Sequence, residues 1–152
     1  MPIRGLLSPR GTSFRGMGMN QDILGRVFEE IEKTIKYDGV GFVDVTYSEE
    51  IPELMVRVYL YDDEADVFGY RNEIFTDGKL EPVELLEDSY VKINKLSVSG
   101  ASFVVKLTAI YRSCGSNSTL AIDVYGNKEI YEKIKTYVSE LRKRYRFDVD
   151  SE

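Results

Sequence analysis

Leu54-Met55-Val56-Arg57-Val58-Tyr59-Leu60-Tyr61 is the stretch on which the reading of the fold turns. Leu54, Val56, Val58 and Leu60 alternate with Met55, Arg57, Tyr59 and Tyr61. A period of two in β-branched and aromatic residues means a strand with one face buried. Upstream, Val43, Val45 and Tyr47 alternate with Asp44 and Thr46, and a turn at Ser48–Pro52 joins the two runs. Downstream, the acidic turn Asp62-Asp63-Glu64-Ala65-Asp66 leads into a third strand, Val67–Phe75. Asp77-Gly78 carries the signature of a two-residue hairpin turn, with Ile74-Phe75 before it and Lys79-Leu80 after it. Pro82 ends the return strand or marks it as an edge.

The stretch 82–96 admits two patterns. Pro82 at a first helical position, with Val83, Leu86, Tyr90 and Ile93, spells a short helix. Val91, Ile93, Leu96 and Val98 spell a bulged strand turning back at Gly100. The reading adopted is a short helical piece at 82–88 followed by a strand. Phe103, Val105, Leu107, Ala109 and Tyr111 mark a further strand, and Leu120, Ile122 and Val124 the last one.

Two helices flank this β-rich middle. Asn20 is a suitable N-cap for a helix to about Tyr37, with Leu24, Val27, Phe28, Ile31 and Ile35 as its apolar stripe and Asp38-Gly39 as its stop. Asn127 caps a second helix reaching about Tyr145, whose stripe is Ile130, Ile134, Tyr137, Val138, Leu141 and Tyr145. The expected fold is therefore α+β: an antiparallel meander of five to six strands, with the N-terminal and C-terminal helices packed on one face. Residues 1–19, with Arg4, Arg10, Arg15 and no acid, read as a flexible basic tail. A start at Met17 or Met19 is the minor alternative for this tail. Residues 20–147 form one domain, and 148–152 an acidic C-terminal end.

Composition narrows the chemistry. The 152 residues contain no histidine and one cysteine. That removes the usual base near neutral pH, a Cys/His zinc site, and the Ser-His-Asp and Cys-His nucleophile systems. Cys114 reads as an incidental thiol, and the Asn117-Ser118-Thr119 sequon as a polar turn. With no apolar run of membrane-spanning length and no secretory pattern, a cytoplasmic protein without membrane contact is expected. A single glutamine, Gln21, among many ionisable residues is a weak thermophile tendency. No cofactor or metal is expected. The Asp62–Asp66 cluster lacks the loop geometry of a calcium site, and Gly16-Met17-Gly18 lacks the rest of a phosphate loop.

Charge is sorted along the chain. From Asp38 to Asp88 there are fifteen carboxylates and three cations, Arg57, Arg71 and Lys79; from Tyr90 to Phe147 there are eleven cations and four carboxylates. Such blocks speak to association. On the meander, the sheet face away from the helices would carry Arg57, Tyr59, Tyr61, Lys106, Thr108, Ile110, Arg112, Asp123 and Tyr125. Tyrosines interleaved with cations suit protein contacts, where Tyr and Arg act as anchors. They also suit single-stranded nucleic acid, where rings stack bases and cations meet phosphates. Arg142, Lys143, Arg144 and Arg146 cluster at the end of the second helix, where the helix dipole favours them and a partner could also meet them. The reading adopted is a non-enzymatic binding module acting through protein–protein contacts and self-associating as a homodimer. A nucleic-acid binder using the Tyr/Arg/Lys face and the basic tail is the alternative. A carboxylate-based, metal-dependent hydrolase is a minor third, requiring acids from distant strands to converge.

Overall fold

The structure, a computed structural model, describes residues 16–59, 67–112 and 118–151. Helix α1 (Gly16–Asp38) begins before Asn20, which lies inside it rather than at its cap. Gly39 then takes the left-handed conformation, φ 68°, that a non-glycine residue adopts only with strain, and the chain turns directly into a strand. Strands follow at Val40–Ser48 (β1), Leu54–Tyr59 (β2), Val67–Thr76 (β3), Lys79–Glu87 (β4), Val91–Ser99 (β5), Val104–Arg112 (β6) and Ser118–Tyr125 (β7). Helix α2 (Lys128–Leu141) and a short strand β8 (Asp148–Ser151) complete the described chain.

The α+β class holds, but the single antiparallel meander does not. The strands form two sheets: a five-stranded mixed sheet in the order β3-β6-β7-β1-β8, and a three-stranded antiparallel sheet in the order β2-β5-β4. In the larger sheet β1 lies between β7 and β8 and is parallel to both. Parallel neighbours need a crossover, and α2 supplies it, carrying the chain from β7 past β1 to β8. Residues 148–151, expected as an acidic end outside the domain, are thus a strand of the main sheet. Asp148 and Asp150 alternate with half-buried Val149, which packs on the core.

The helices pack where their stripes meet the apolar rows of the main sheet. Val27, Ile31 and Ile35 of α1, with Ile130, Ile134, Val138 and Leu141 of α2, share one buried cluster with Val43, Val45, Val105, Leu107, Leu120, Ile122 and Val124. Asn127 caps α2 by accepting a hydrogen bond from the Ile130 amide at 3.1 Å. Between the helices, Phe28 and Tyr137 stack with ring centroids 4.2 Å apart.

The second sheet corrects two expectations. Leu54 and its alternates do not face the helices. Leu54 is buried with Ile74 and Val104 in a smaller cluster, flanked by Val56, Leu80, Leu96, Val98 and Tyr125. Because Val104 and Ile74 alternate with the helix-facing Val105 and Phe75, the small sheet lies against the face of the main sheet opposite the helices. Asp77-Gly78 is likewise not a hairpin turn, since β3 pairs with β6 and β4 with β5. It carries the chain from one sheet to the other. The Asp77 carboxylate accepts hydrogen bonds from the Ser102 amide and hydroxyl, at 2.9 and 2.6 Å, and Thr76 Oγ1 donates to the Phe103 carbonyl at 2.6 Å. A β-carbon at residue 78 would lie 2.6 Å from Ala101 Cβ, so close approach requires glycine there.

Residues 82–88 are strand, not helix. The true hairpin joins β4 to β5 at Asp88, whose side chain accepts from the Tyr90 and Val91 amides. Pro82 is tolerated because β4 is an edge strand and the ladder is irregular between Pro82 and Glu84. No described helix is long and apolar enough to cross a membrane.

Candidate functional site

Register defines the far face of the main sheet row by row. Ile74, Lys106, Asp123 and Thr46 lie side by side across β3, β6, β7 and β1; the next row is Asn72, Thr108, Ala121 and Asp44. Lys106, Thr108, Ile110, Asp123 and Tyr125 therefore share one face, but it is no open platform. The small sheet covers the Val104–Tyr125 end, and the polar groups bond one another. Thr46 Oγ1 donates to Asp123 at 2.7 Å, and Asn72 Nδ2 donates to Thr108 at 2.8 Å while its oxygen accepts from the Arg57 amide at 2.7 Å. Burial, with the Arg57 charge adding to it, depresses the Lys106 pKa against the opposing pull of Asp123. Burial raises that of Tyr125, and the Asp123 charge adds to it.

The other expected anchors are dispersed. Arg57 is half-buried on β2 in the small sheet, and Arg112 ends β6. Tyr59 lies on β2 opposite Val91, its side chain outside the described residues. Tyr61, the Asp62–Asp66 cluster, Cys114, and Arg4, Arg10 and Arg15 also lie outside the described residues. At the end of α2, Lys143 pairs with Glu140 at 3.3 Å and Arg144 with Glu32 at 3.2 Å. Glu32 also accepts from Tyr145 at 2.9 Å and Tyr137 at 3.2 Å. The Tyr145 hydrogen bond, helped by Arg144 and Tyr137, outweighs partial desolvation and holds Glu32 below its ordinary pKa. Arg142 and Arg146 have no carboxylate within 4 Å among the described residues. Lys106 and the 142–146 group sit on opposite sides of the main sheet, so they do not form one basic stripe.

Folding also neutralises part of the acidic block from within. Arg71 of the acidic block draws three carboxylates onto itself: Glu30 at 2.9 Å, Glu73 at 3.3 Å and Asp38 at 3.3 Å. Its Nη2 also donates to Thr34 at 2.8 Å, and its Nε to Tyr111 at 2.9 Å; Tyr111 in turn donates to Asp38 at 2.7 Å. All five guanidinium donors are satisfied. Burial works against the Arg71 charge, but Tyr111 and Glu30 outweigh it and raise its pKa. Burial and the Glu30 carboxylate push Glu73 up to about 7. The space lined by Thr34, Arg71, Glu73 and Leu107 has no room for a water molecule. This knot ties α1 to the edge of the main sheet and offers no substrate access. Sequence reading missed it, although Arg71 is one of only three cations inside the acidic block.

The small sheet presents what sequence reading did not anticipate, large apolar side chains in solvent: Met55, Val58, Val83, Leu85, Leu86 and Tyr90 are all exposed. Met55 and Leu86 lie on the outward face, with Lys95 and Glu84 beside Met55 in the ladder and Ile93 between Arg57 and Leu86. The flanking charges come in opposite-sign pairs, Lys95–Glu84 and Lys92–Glu87, both at 3.3 Å. Among the described residues, no group of three or more His, Cys, Asp or Glu side chains is placed to hold a metal ion. Compared with known proteins, the chain matches no family model and no curated protein significantly.

Proposed function

We propose that the protein is a binding module acting through protein–protein contacts, with the small sheet as its contact surface and a second copy of the chain as its partner. The observation that carries this reading is the concentration of exposed large apolar side chains on one three-stranded sheet, whose edge strand β4 is exposed along nearly its whole length. Isolated exposed apolar residues are ordinary, whereas several on one element favour an interaction site. Met55 and Leu86 share the outward face with half-buried Ile93, while Val58 and Leu85 fall on rows of the opposite parity.

The charge pattern favours a copy of the same surface. A two-fold contact brings each patch against itself, so it tolerates only charge that is self-complementary. On the outward face the Lys95–Glu84 pair meets that condition, because the lysine of one copy can face the glutamate of the other, whereas Lys92–Glu87 falls on the row of Val58, of the opposite parity. Edge-to-edge pairing through β4 is less favourable, since Pro82, the irregular ladder at residue 83 and three glutamates blunt that edge. The outward face, centred on Met55, Leu86 and Ile93, is the better contact.

Sedimentation velocity over a concentration series tests this. The native chain is expected to shift from monomer to dimer with rising concentration, and Leu86→Lys combined with Met55→Lys to stay monomeric. A native chain that remains monomeric at high concentration overturns the self-association.

A further inference from the structure

An open cleft of about 690 Å³ lies where the end of α1, the start of β1 and the connection from α2 to β8 meet. Two glycines border it. Gly39 turns the helix into the strand, and a β-carbon built on it meets nothing within 4 Å. Gly41, one residue into β1, likewise contributes no side chain to the wall. Ile35 and Val40 border the cleft but are only 5% and 4% exposed; the partly exposed Tyr145 lines it together with Arg142 and Arg146.

Of the four cations at the end of α2, these two are the ones without a carboxylate among the described residues, and both are exposed. Dipole compensation accounts for a cation in the last turn and fades beyond it. Arg142 fits that role as the C-cap residue, but Arg146 lies past the helix end. Two guanidiniums facing one cleft match a dianion better than a monoanion, and arginine binds phosphate through paired N–H donors. The partly exposed Tyr145 ring favours an organic substituent over the bare ion. Asp148 also lines the cleft; it repels an anion close to it and can accept a hydrogen bond from a hydroxyl group.

We propose that this cleft binds a small phosphomonoester, its phosphate on Arg142 and Arg146 and its organic part against the partly exposed Tyr145. The proposal does not depend on the small sheet or on dimer formation. The test is a titration of the ¹⁵N-labelled full chain with phenyl phosphate, with benzoate and an oligothymidylate lacking terminal phosphates as comparisons. Phenyl phosphate is expected to move the amide signals of Gly39, Gly41, Phe147 and Asp148. It should bind on the order of tenfold more weakly to the Arg142→Gln/Arg146→Gln variant. Both arginines are exposed, and unchanged amide signals in the main sheet show that the variant keeps its fold. No shift at millimolar phenyl phosphate, shifts confined to other regions, or equal affinity in the variant each overturn the proposal. Benzoate binding as tightly overturns the phosphate assignment. Tighter binding of the oligonucleotide at the same amides overturns the small-molecule assignment in favour of a nucleic-acid backbone.

Discussion

The main sheet and the small sheet are made of the same strand-forming residues, yet they spend them differently. The main sheet buries Val43, Val45, Val105, Leu107, Leu120, Ile122 and Val124 beneath two helices. The small sheet fully buries only Leu54 among its described side chains and leaves Met55, Val58, Val83, Leu85 and Leu86 exposed. One is closed by its own chain on the helix side; the other has no layer of its own chain over its outward face among the described residues. Since burial of apolar area is the dominant favourable term in folding, stability should reside in the first region. Surface available to a partner should reside in the second.

The sharpest way to break this comparison is to cut the same type of side chain in both. Ile122 is completely buried between the helices and the small sheet's side of the molecule, so Ile122→Ala should lower unfolding free energy by about 3–4 kcal/mol. Leu96→Ala, on half-buried β5, should cost about half as much. Urea denaturation measures both. Equal losses would mean that the small sheet is as integral to the fold as the main one.

The contrast also explains what was readable in the sequence. Helix stripes and alternating strands were, because they depend on local period: Ile31 and Ile35, or Leu120, Ile122 and Val124, announce a buried face without reference to any partner. Pairing was not. Nothing within Val40–Ser48 states that it inserts between β7 and β8, nor does the Asp77-Gly78 turn state that it leads to another sheet. The helical reading of 82–88 failed because Val83, Leu86 and Tyr90 fit a helix by spacing, whereas the ladder with β5 and the Asp88 turn decide the matter. The candidate site suffered most. Residues expected on one open face are split between a half-covered main sheet and the small sheet, and the apparent charge blocks are cross-paired through Lys92 and Lys95, while Arg144 pairs with Glu32 of α1.

A second prediction concerns how the main region is tied down. Glu73 has a folded-state pKa of about 7 against an ordinary value of 4.5, so the folded chain holds a proton that the unfolded chain releases. Its contribution therefore favours folding at low pH and declines as pH rises from about 4.5 to about 7. The cause is burial first and the Glu30 carboxylate second; three carboxylates around Arg71 leave excess negative charge once all are ionised. Glu73→Gln retains a hydrogen-bonding group without that charge. It should stabilise the protein by about 2 kcal/mol at pH 8 and have little effect near pH 4.5. Denaturation at both pH values measures it. A loss of stability at pH 8 would show instead that the Arg71–Glu73 ion pair outweighs the crowding.

The smallest effect should come from the small sheet's outward face. Leu86 is 44% exposed on an edge strand, so replacing it with lysine removes little buried area and places a charge in water. Lysine is also a common device for keeping edges apart. Leu86→Lys should change the monomer's unfolding free energy by no more than about 0.5 kcal/mol, measured by urea denaturation at low concentration. An apolar side chain that contributes little to the fold and much to association is what separates a contact surface from a core. If Leu86→Lys instead destabilised the monomer as strongly as Leu96→Ala, that side chain would belong to the fold. The division between a self-contained main sheet and an uncovered small one would then have to be redrawn.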